Sequence, residues 1–132
     1  MSIVDSSPKP KTVNLNNGAT ISTLRSRFGE ASLYLNNGAY ISVADNTDFG
    51  LGAGDFTIEM WVYAYENTNW RTLVEVGTYS SGLLWRMGTS GDNLHINGTS
   101  YNWNPGNVPL NTWVHLAIVR SSGTVKVFIN GS

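Results

Sequence analysis

The sequence predicts an all-β fold, an antiparallel two-sheet β-sandwich. Roughly ten short segments alternate apolar with polar residues, which is the period of a strand with one buried face. Asn-Gly and Gly-rich turn signals separate these segments, and none has the spacing of an amphipathic helix. With 132 residues, the chain is long enough to fold as one domain with its own core.

The composition excludes several classes of protein. The chain has no cysteine, so it forms no disulfide, thiolate zinc site or cysteine nucleophile. Its formal net charge is -1 and it shows no basic patch, so we expect no nucleic-acid partner. No apolar run approaches the ~18 residues of a membrane helix, and no signal peptide is visible, so we expect no membrane insertion.

The N-terminal part contains an internal repeat. Residues 1–10 are polar and include two prolines, so we expect an extended arm before a domain over residues 11–132, whose first strand lies at 11–15. The sequence Leu-Asn-Asn-Gly-Ala at 15–19 recurs at 35–39. Because Asn-Gly accepts positive φ at both central positions of a type I′ turn, each copy predicts a hairpin. Between the copies, Phe28 is expected to anchor a loop.

Two long predicted strands organise the rest of the chain. Residues 55–65 alternate, with one face formed by Phe56, Ile58, Met60, Val62 and Ala64 and the other by Thr57, Glu59, Trp61, Tyr63 and Tyr65. Both faces carry bulky side chains, so we expect this strand to be central in its sheet. Residues 111–120 also alternate, with Val114, Leu116 and Ile118 on one face and Trp113, His115, Ala117 and Val119 on the other.

Shorter strands and turns complete the prediction. Strands are expected at 71–77, 83–87, 94–96, 99–103 and 124–129, with turns at 88–93, 97–98 and 121–123 and a loop at 104–110. The Gly-rich segment 44–54 is followed by a strand and not by a helix, so it is not a dinucleotide-binding loop. Asn130-Gly131 predicts the start of a further turn.

Several of these segments together resemble one known family. Residues 54–62, Gly-Asp-Phe-Thr-Ile-Glu-Met-Trp-Val, are similar to the G-x-F-T-i-e-x-W-V strand of laminin-G-like jelly-roll domains in the concanavalin A-like lectin/glucanase superfamily. Residues 112–120 and 124–131 resemble the W-x-H-v-A-l-v-R and v-x-l-y-v-N-G strands of that family, and residues 28–35 resemble its entry strand. The resemblance spans about residues 5–131 and implies a concanavalin A-like jelly roll.

The resemblance also implies a location and a partner. Domains of this kind occur in structural proteins of tailed phages, including marine phages, so we expect an extracellular or virion-associated protein. The family normally has a strand before Asp5 and further strands after Gly131, which this sequence lacks. Unpaired strand edges recruit other strands, so we expect a homo-oligomer or a complementing chain to complete the sandwich.

An enzymatic function is the least favoured. The glucanases of the superfamily carry Glu-x-Asp-x-x-Glu on one strand, and this sequence has no such motif. Glu59 and Glu75 would form a carboxylate pair only on adjacent strands; the alternative is that Glu59 faces solvent or pairs with Arg71 or Arg86. His115 is expected to be a satisfied core histidine, and His95 has no ligand partner at a metal-site spacing.

Glycan binding is the leading functional hypothesis. Such sites use exposed aromatic rings to stack on sugars and amides to bind hydroxyl groups. The predicted ligand-binding residues are Tyr63, Tyr65, Tyr101, Asn102, Trp103 and Asn104, with Trp70, Tyr79 and Trp85 as further aromatic candidates. The alternative is that Trp61, Trp85 and Trp113 fill the core while Tyr101 and Trp103 cover an edge.

Calcium is the one predicted cofactor. Related domains often hold Ca²⁺ at the rim of the sandwich, and Asp45, Asn46 and Asp48 offer the hard oxygen ligands that it prefers. The alternative is that these are ordinary turn residues. We therefore expect a non-catalytic glycan-binding or adhesion module; a purely structural, self-assembling module is the alternative.

Overall fold

The computed structural model describes residues 2–44, 47–51, 53–66, 70–76, 85–90, 93–98 and 102–132. These residues form eleven strands and one 3-10 turn at Thr47–Phe49, so the predicted all-β class is confirmed. The chain divides into two compact units, Met1–Gly50 and Leu51–Ser132. Within the described ranges, no helix is long and apolar enough to cross a membrane.

The first unit contains four short strands, which pair in two antiparallel ribbons. The strands are β1 (Val13–Asn16), β2 (Thr20–Ser22), β3 (Ser32–Tyr34) and β4 (Tyr40–Val43). β1 pairs with β4 and β2 with β3, so the strands on either side of each Asn-Gly turn do not pair with each other. The prediction of two separate hairpins is therefore wrong. The two copies of the repeat are the arms of one long hairpin, and each arm bends at its Asn-Gly.

The two bends face each other but are built differently. In the first copy both Asn17 (φ 52°) and Gly18 (φ 86°) are left-handed, as the predicted type I′ turn requires. In the second copy only Gly38 (φ 77°) is left-handed, which is typical of a type II turn. The Asn17 side-chain amide donates to the Gly38 carbonyl at 3.2 Å and joins the bends. Paired strands that bend together can change direction without losing their partners.

The loop between the arms has no buried anchor. Phe28 was expected to provide one, but its side chain is 65% exposed. The Arg27 guanidinium lies 4.7 Å from the centre of its ring. A cation over an aromatic face stabilises a ring that remains in water, so the prediction of an apolar anchor was wrong.

The N-terminal segment is tied to the 3-10 turn within the first unit. The Asp5 carboxylate accepts hydrogen bonds from the backbone N–H groups of Ser7 (2.9 Å) and Lys11 (2.7 Å). The Lys11 ammonium lies 3.0 Å from the Asp48 carboxylate, and the Lys9 ammonium lies 3.8 Å from it. One carboxylate within the segment and one in the 3-10 turn therefore hold it in place.

These contacts predict an acid-sensitive segment. Backbone hydrogen bonds from Ser7 and Lys11 lower the pKa of Asp5, and the hydrogen bond from Lys11 and the charge of Lys9 lower the pKa of Asp48. A carboxyl with a lower pKa in the folded state stabilises that state above its unfolded pKa of about 3.9, and the stabilisation is lost as pH falls through the folded value. The amide resonances of Ser7 and Lys11 should therefore titrate with midpoints below about 3.9. An unshifted midpoint, or one unaffected by Asp5→Asn, would contradict this arrangement.

The second unit contains two antiparallel sheets. Its strands are β5 (Phe56–Tyr63), β6 (Arg71–Val76), β7 (Trp85–Ser90), β8 (Asn93–Gly98), β9 (Asn102–Asn107), β10 (Trp113–Ser121) and β11 (Thr124–Ile129). One sheet has the order β11-β10-β5 and the other β6-β7-β8-β9. The two long predicted strands are confirmed and pair with each other over their full length. Among the described strands, however, β5 lies at the edge of its sheet, whereas the prediction made it central.

The two sheets of this unit enclose an aliphatic core. Its buried members come from both sheets and from the segment before β10: Met87, Val108, Val114, Leu116 and Ile118. Partly buried Phe56, Met60 and Val62 pack against them from β5. The predicted alternation of the two long strands is therefore confirmed, and the structure shows which face of each strand is buried, which the sequence had left open. The opposite faces point away from this core.

Three predicted boundaries were wrong in the four-stranded sheet. The expected turn at 88–93 is largely strand, because β7 continues to Ser90 and β8 begins at Asn93, and the expected turn at 97–98 is the end of β8. The expected loop from residue 104 is the continuation of β9, which contains Pro105. Proline is tolerated there because β9 is an edge strand among the described strands, and its ladder with β8 shifts register between Leu94 and Ile96.

Candidate functional site

The outer face of the three-stranded sheet concentrates aromatic side chains. Strand register places Tyr63 beside Trp113 and Trp61 beside His115. Tyr65 follows two residues after Tyr63 along the chain. We call these five residues the aromatic strip. Alternation places the strip opposite the core, because the intervening residues of β5 and β10 are the ones that pack inward.

The rings of the strip contact one another at steep angles. The Trp61 and His115 ring centres are 5.2 Å apart with planes at 49°, and those of Tyr63 and Tyr65 are 5.2 Å apart at 58°. Tyr63 meets Trp113 edge-on at 5.5 Å and 70°. Tilted and T-shaped pairs at these distances are favourable aromatic contacts, so the strip is a packed surface. Trp61 is nevertheless 37% exposed and Tyr65 51% exposed.

A polar group adjoins the strip at Trp61. His115 Nε2 lies 3.2 Å from Glu59 Oε2, and the two side chains are 26% and 62% exposed. The backbone of His115 is fixed by Asn130, whose side-chain Oδ1 accepts from the His115 N–H at 3.0 Å and whose N–H donates to the His115 carbonyl at 2.9 Å. The imidazole therefore has a defined position between an aromatic ring and a carboxylate.

The expectations about these groups had different outcomes. His115 is not a core histidine, because its side chain lies on the outer face and is partly exposed, so that expectation was wrong. Glu59 faces solvent, as expected, and its partner is His115, whereas Arg71 pairs with Glu66. Glu59 and Glu75 lie in different sheets, so the less favoured pair on adjacent strands does not form.

A shallow depression lies further along the same face. It has a volume of about 460 Å³, and its lining residues come from the outer faces of β10 and β11: Val119, Ser121, Thr124, Lys126 and Phe128. Phe128 is paired with Ala117, and Ala117 is paired with Glu59 on the other side. The small Ala117 side chain thus separates the polar group from the depression.

The structure brings together only part of the predicted ligand-binding set. Tyr63 and Tyr65 are in contact within the aromatic strip. Asn102, Trp103 and Asn104 belong to β9, the edge strand of the other sheet, and Asn104 is exposed. Tyr101 lies outside the described residues, as does Tyr79.

The strip contains residues that the sequence prediction left out of the site. Trp61 was expected in the core as the alternative to a ligand-binding role, yet it is 37% exposed. Trp113 is partly buried on the outer face, beside Tyr63. The period-two pattern had placed Trp61 on the same face of its strand as Tyr63, and Trp113 on the same face of its strand as His115. The alternation was therefore the available signal, and the large size of the two side chains was misleading.

The predicted calcium ligands are only partly described. Asp48 lies in the 3-10 turn, where its carboxylate faces the ammonium groups of Lys9 and Lys11. Asp45 and Asn46 lie outside the described residues. Within the described ranges, no three acidic or histidine side chains are grouped as a metal site would require. The calcium site stays a prediction.

The comparisons with known proteins give one match. A laminin G family model, described as the concanavalin A-like lectin/glucanases superfamily, matches residues 35–132. This span includes the whole second unit with its aromatic strip. No curated protein and no solved structure matches the chain.

Proposed function

The chain belongs to the concanavalin A-like lectin/glucanases superfamily, and from this membership we propose that it is a non-catalytic module for glycan binding or adhesion. Membership fits a carbohydrate-binding or structural module, and laminin-G-like domains are generally non-catalytic. The observation that carries the proposal is the exposed aromatic strip beside the Glu59–His115 pair.

The chemistry of this surface suits a sugar. A pyranose ring has an apolar C–H face, which stacks on an aromatic ring, and a rim of hydroxyl groups, which need hydrogen-bond partners. Trp61 offers exposed aromatic area, and the Glu59 carboxylate beside it accepts hydrogen bonds from hydroxyls. The imidazole of His115 adds a further polar group at the same place.

The proposal that the module is non-catalytic is supported by the placement of its carboxylates. Glycoside hydrolysis uses two carboxyl groups that flank the scissile bond, about 5–9.5 Å apart. Glu59 faces His115, and Glu75 lies in the other sheet of this unit. We also propose an extracellular or virion-associated location, supported by the low share of charged residues, 13%.

A glycan array tests the proposal. We expect wild-type protein to bind a defined group of glycans and Trp61→Ala to lower the affinity at least about tenfold, equivalent to ~1.4 kcal/mol. The matched control is Phe28→Ala, which removes an aromatic side chain that is 65% exposed but lies in the first unit. Equal loss in both variants, or no binding by the wild type, would contradict the proposal. Repeating the array with a chelator tests whether the predicted calcium site contributes to binding.

A self-assembling structural module is the second candidate. The paired side chains Leu15 and Ile41 of the first unit are 38% and 40% exposed, and a two-stranded ribbon is marginally stable without a covering surface. Among the described strands, β5 also has a partner on one side only. We propose that a second copy covers these surfaces. Light scattering at micromolar concentration should then give a defined oligomer, and a monomer would contradict the idea.

A further inference from the structure

We propose that the aromatic strip binds a soluble glycan chain through one sugar ring at Trp61, and not the flat surface of an insoluble polysaccharide. This inference rests on the proposed glycan-binding function and adds the class of ligand. It depends on how the rings are tilted, on which of them are exposed, and on the polar groups beside Trp61.

The tilts of the rings oppose a flat ligand. A crystalline polysaccharide presents sugars in one plane, so its binding surface needs several coplanar rings. Tyr63, at the centre of the strip, is tilted by 58° against Tyr65 and by 70° against Trp113. No plane can therefore contact the faces of Tyr63 and either neighbour together. A single sugar requires only one ring and has no such constraint.

The distribution of exposure also favours one sugar at a time. Trp61 and Tyr65 are 37% and 51% exposed, whereas Tyr63 between them is only partly exposed. β5 ends at Tyr63, so Tyr65 lies beyond the strand, and its ring packs on Tyr63 at 5.2 Å. Of the two exposed rings, Trp61 lies on β5 itself, so the strand presents one exposed ring to a sugar.

The polar groups select Trp61 as the position of the sugar. Glu59 and His115 adjoin Trp61, and His115 contacts its ring at 5.2 Å. A sugar stacked on Trp61 can therefore place hydroxyls at the Glu59 carboxylate. Hydrogen bonds from these hydroxyls to the carboxylate would stabilise a sugar ring in this position and orientation. Beyond the small Ala117, the depression beside Phe128 leaves room for the following sugars of the chain.

The test compares soluble with insoluble ligands. Soluble glycans from the array are titrated by calorimetry, and sedimentation assays use microcrystalline cellulose and crystalline chitin. We expect binding in solution and no retention on either solid. Trp61→Phe should keep much of the soluble binding because it keeps a ring, while Trp61→Ala and Glu59→Gln should each lower it by about tenfold or more. Far-UV circular dichroism checks that each variant is folded.

The possible outcomes separate this inference from the proposed function. Retention on a solid that is lost in Trp61→Ala would overturn the inference, while the glycan-binding function would stand. Soluble binding that survives both Trp61→Ala and Glu59→Gln would overturn the assignment to this strip. No binding to any soluble or insoluble glycan would overturn both proposals.

Discussion

Leu116→Ala is expected to lower the free energy of unfolding by about 2–5 kcal/mol. Leu116 is fully buried in the middle of β10, at the centre of the aliphatic core. In register it lies between Met60 of β5 and Ile129 of β11, so its truncation leaves a cavity that both neighbouring strands line. The cost combines the lost burial of the side chain with the cavity that remains.

Urea denaturation measures this effect. The midpoint should fall without a change in slope, which shows that stability and not compactness has changed. The matched control is Val125→Ala on β11, where the side chain is 43% exposed and the cost should stay within about 0.5 kcal/mol. Equal effects of the two substitutions would show that β10 does not lie at the centre of the core.

Gly88→Ala is expected to cost about 1–3 kcal/mol because β6 and β7 would have to separate. A Cβ added at Gly88 would lie 2.5 Å from the Arg71 carbonyl oxygen and 2.8 Å from the Trp70 ring. The Arg71 backbone is fixed by its pairing with β7, and the Trp70 indole N–H donates to the Thr72 hydroxyl at 2.8 Å. Neither neighbour can move away at little cost.

Gly54→Ala is the matched control for this substitution. A Cβ at Gly54 would meet only the Leu51 carbonyl oxygen at 3.7 Å, which is an ordinary contact. Its effect on stability should be small or slightly stabilising, because alanine reduces the freedom of the unfolded chain. If thermal denaturation showed that Gly88→Ala destabilises the protein no more than Gly54→Ala, this would contradict the close contact between Trp70 and β7.

The parts of the fold that the sequence predicted correctly depend on period-two patterns. The alternation of β5 and β10 determines which side chains are buried, since one face of each strand must enter the core. The alternation grouped Val114, Leu116 and Ile118 on one face of β10, and the structure shows that this face is the buried one. The same alternation placed Trp61, Tyr63 and Glu59 on one face of β5, which the structure shows to be the outer one.

The parts that were predicted wrongly depend on which strands pair. Asn-Gly specifies a tight turn, but a turn does not determine whether its flanking strands pair with each other or with strands of the other repeat. The positions of the tight turns were therefore predicted more accurately than the pairing of β1 with β4 and of β2 with β3. Gly88 was assigned to a turn because glycine is common in turns. The sequence does not show that the Trp70 ring covers this position and leaves no room for a side chain.

The candidate site could be predicted only in part, for a related reason. Tyr63 and Tyr65 were recognisable as candidate ligand-binding aromatics, but the contact between Glu59 and His115 joins two strands that are distant in sequence. Local pattern gives each strand its faces, whereas cross-strand register determines which residues become neighbours. Trp61 was assigned to the core from its size, although the alternation placed it on the same face as the charged Glu59, and the structure leaves it 37% exposed.

The central claim is that a soluble glycan binds at Trp61 on the outer face of the three-stranded sheet. Its most direct test is to observe the tryptophan indole N–H resonances by NMR while a soluble glycan from the array is added. Trp61 and Trp113 lie in or beside the proposed site, whereas Trp70 covers Gly88 on the other sheet. We predict that the Trp61 resonance shifts most, that Trp113 shifts less and that Trp70 does not move. A saturable shift at Trp70 with none at Trp61 would place the ligand on the other sheet and contradict the claim.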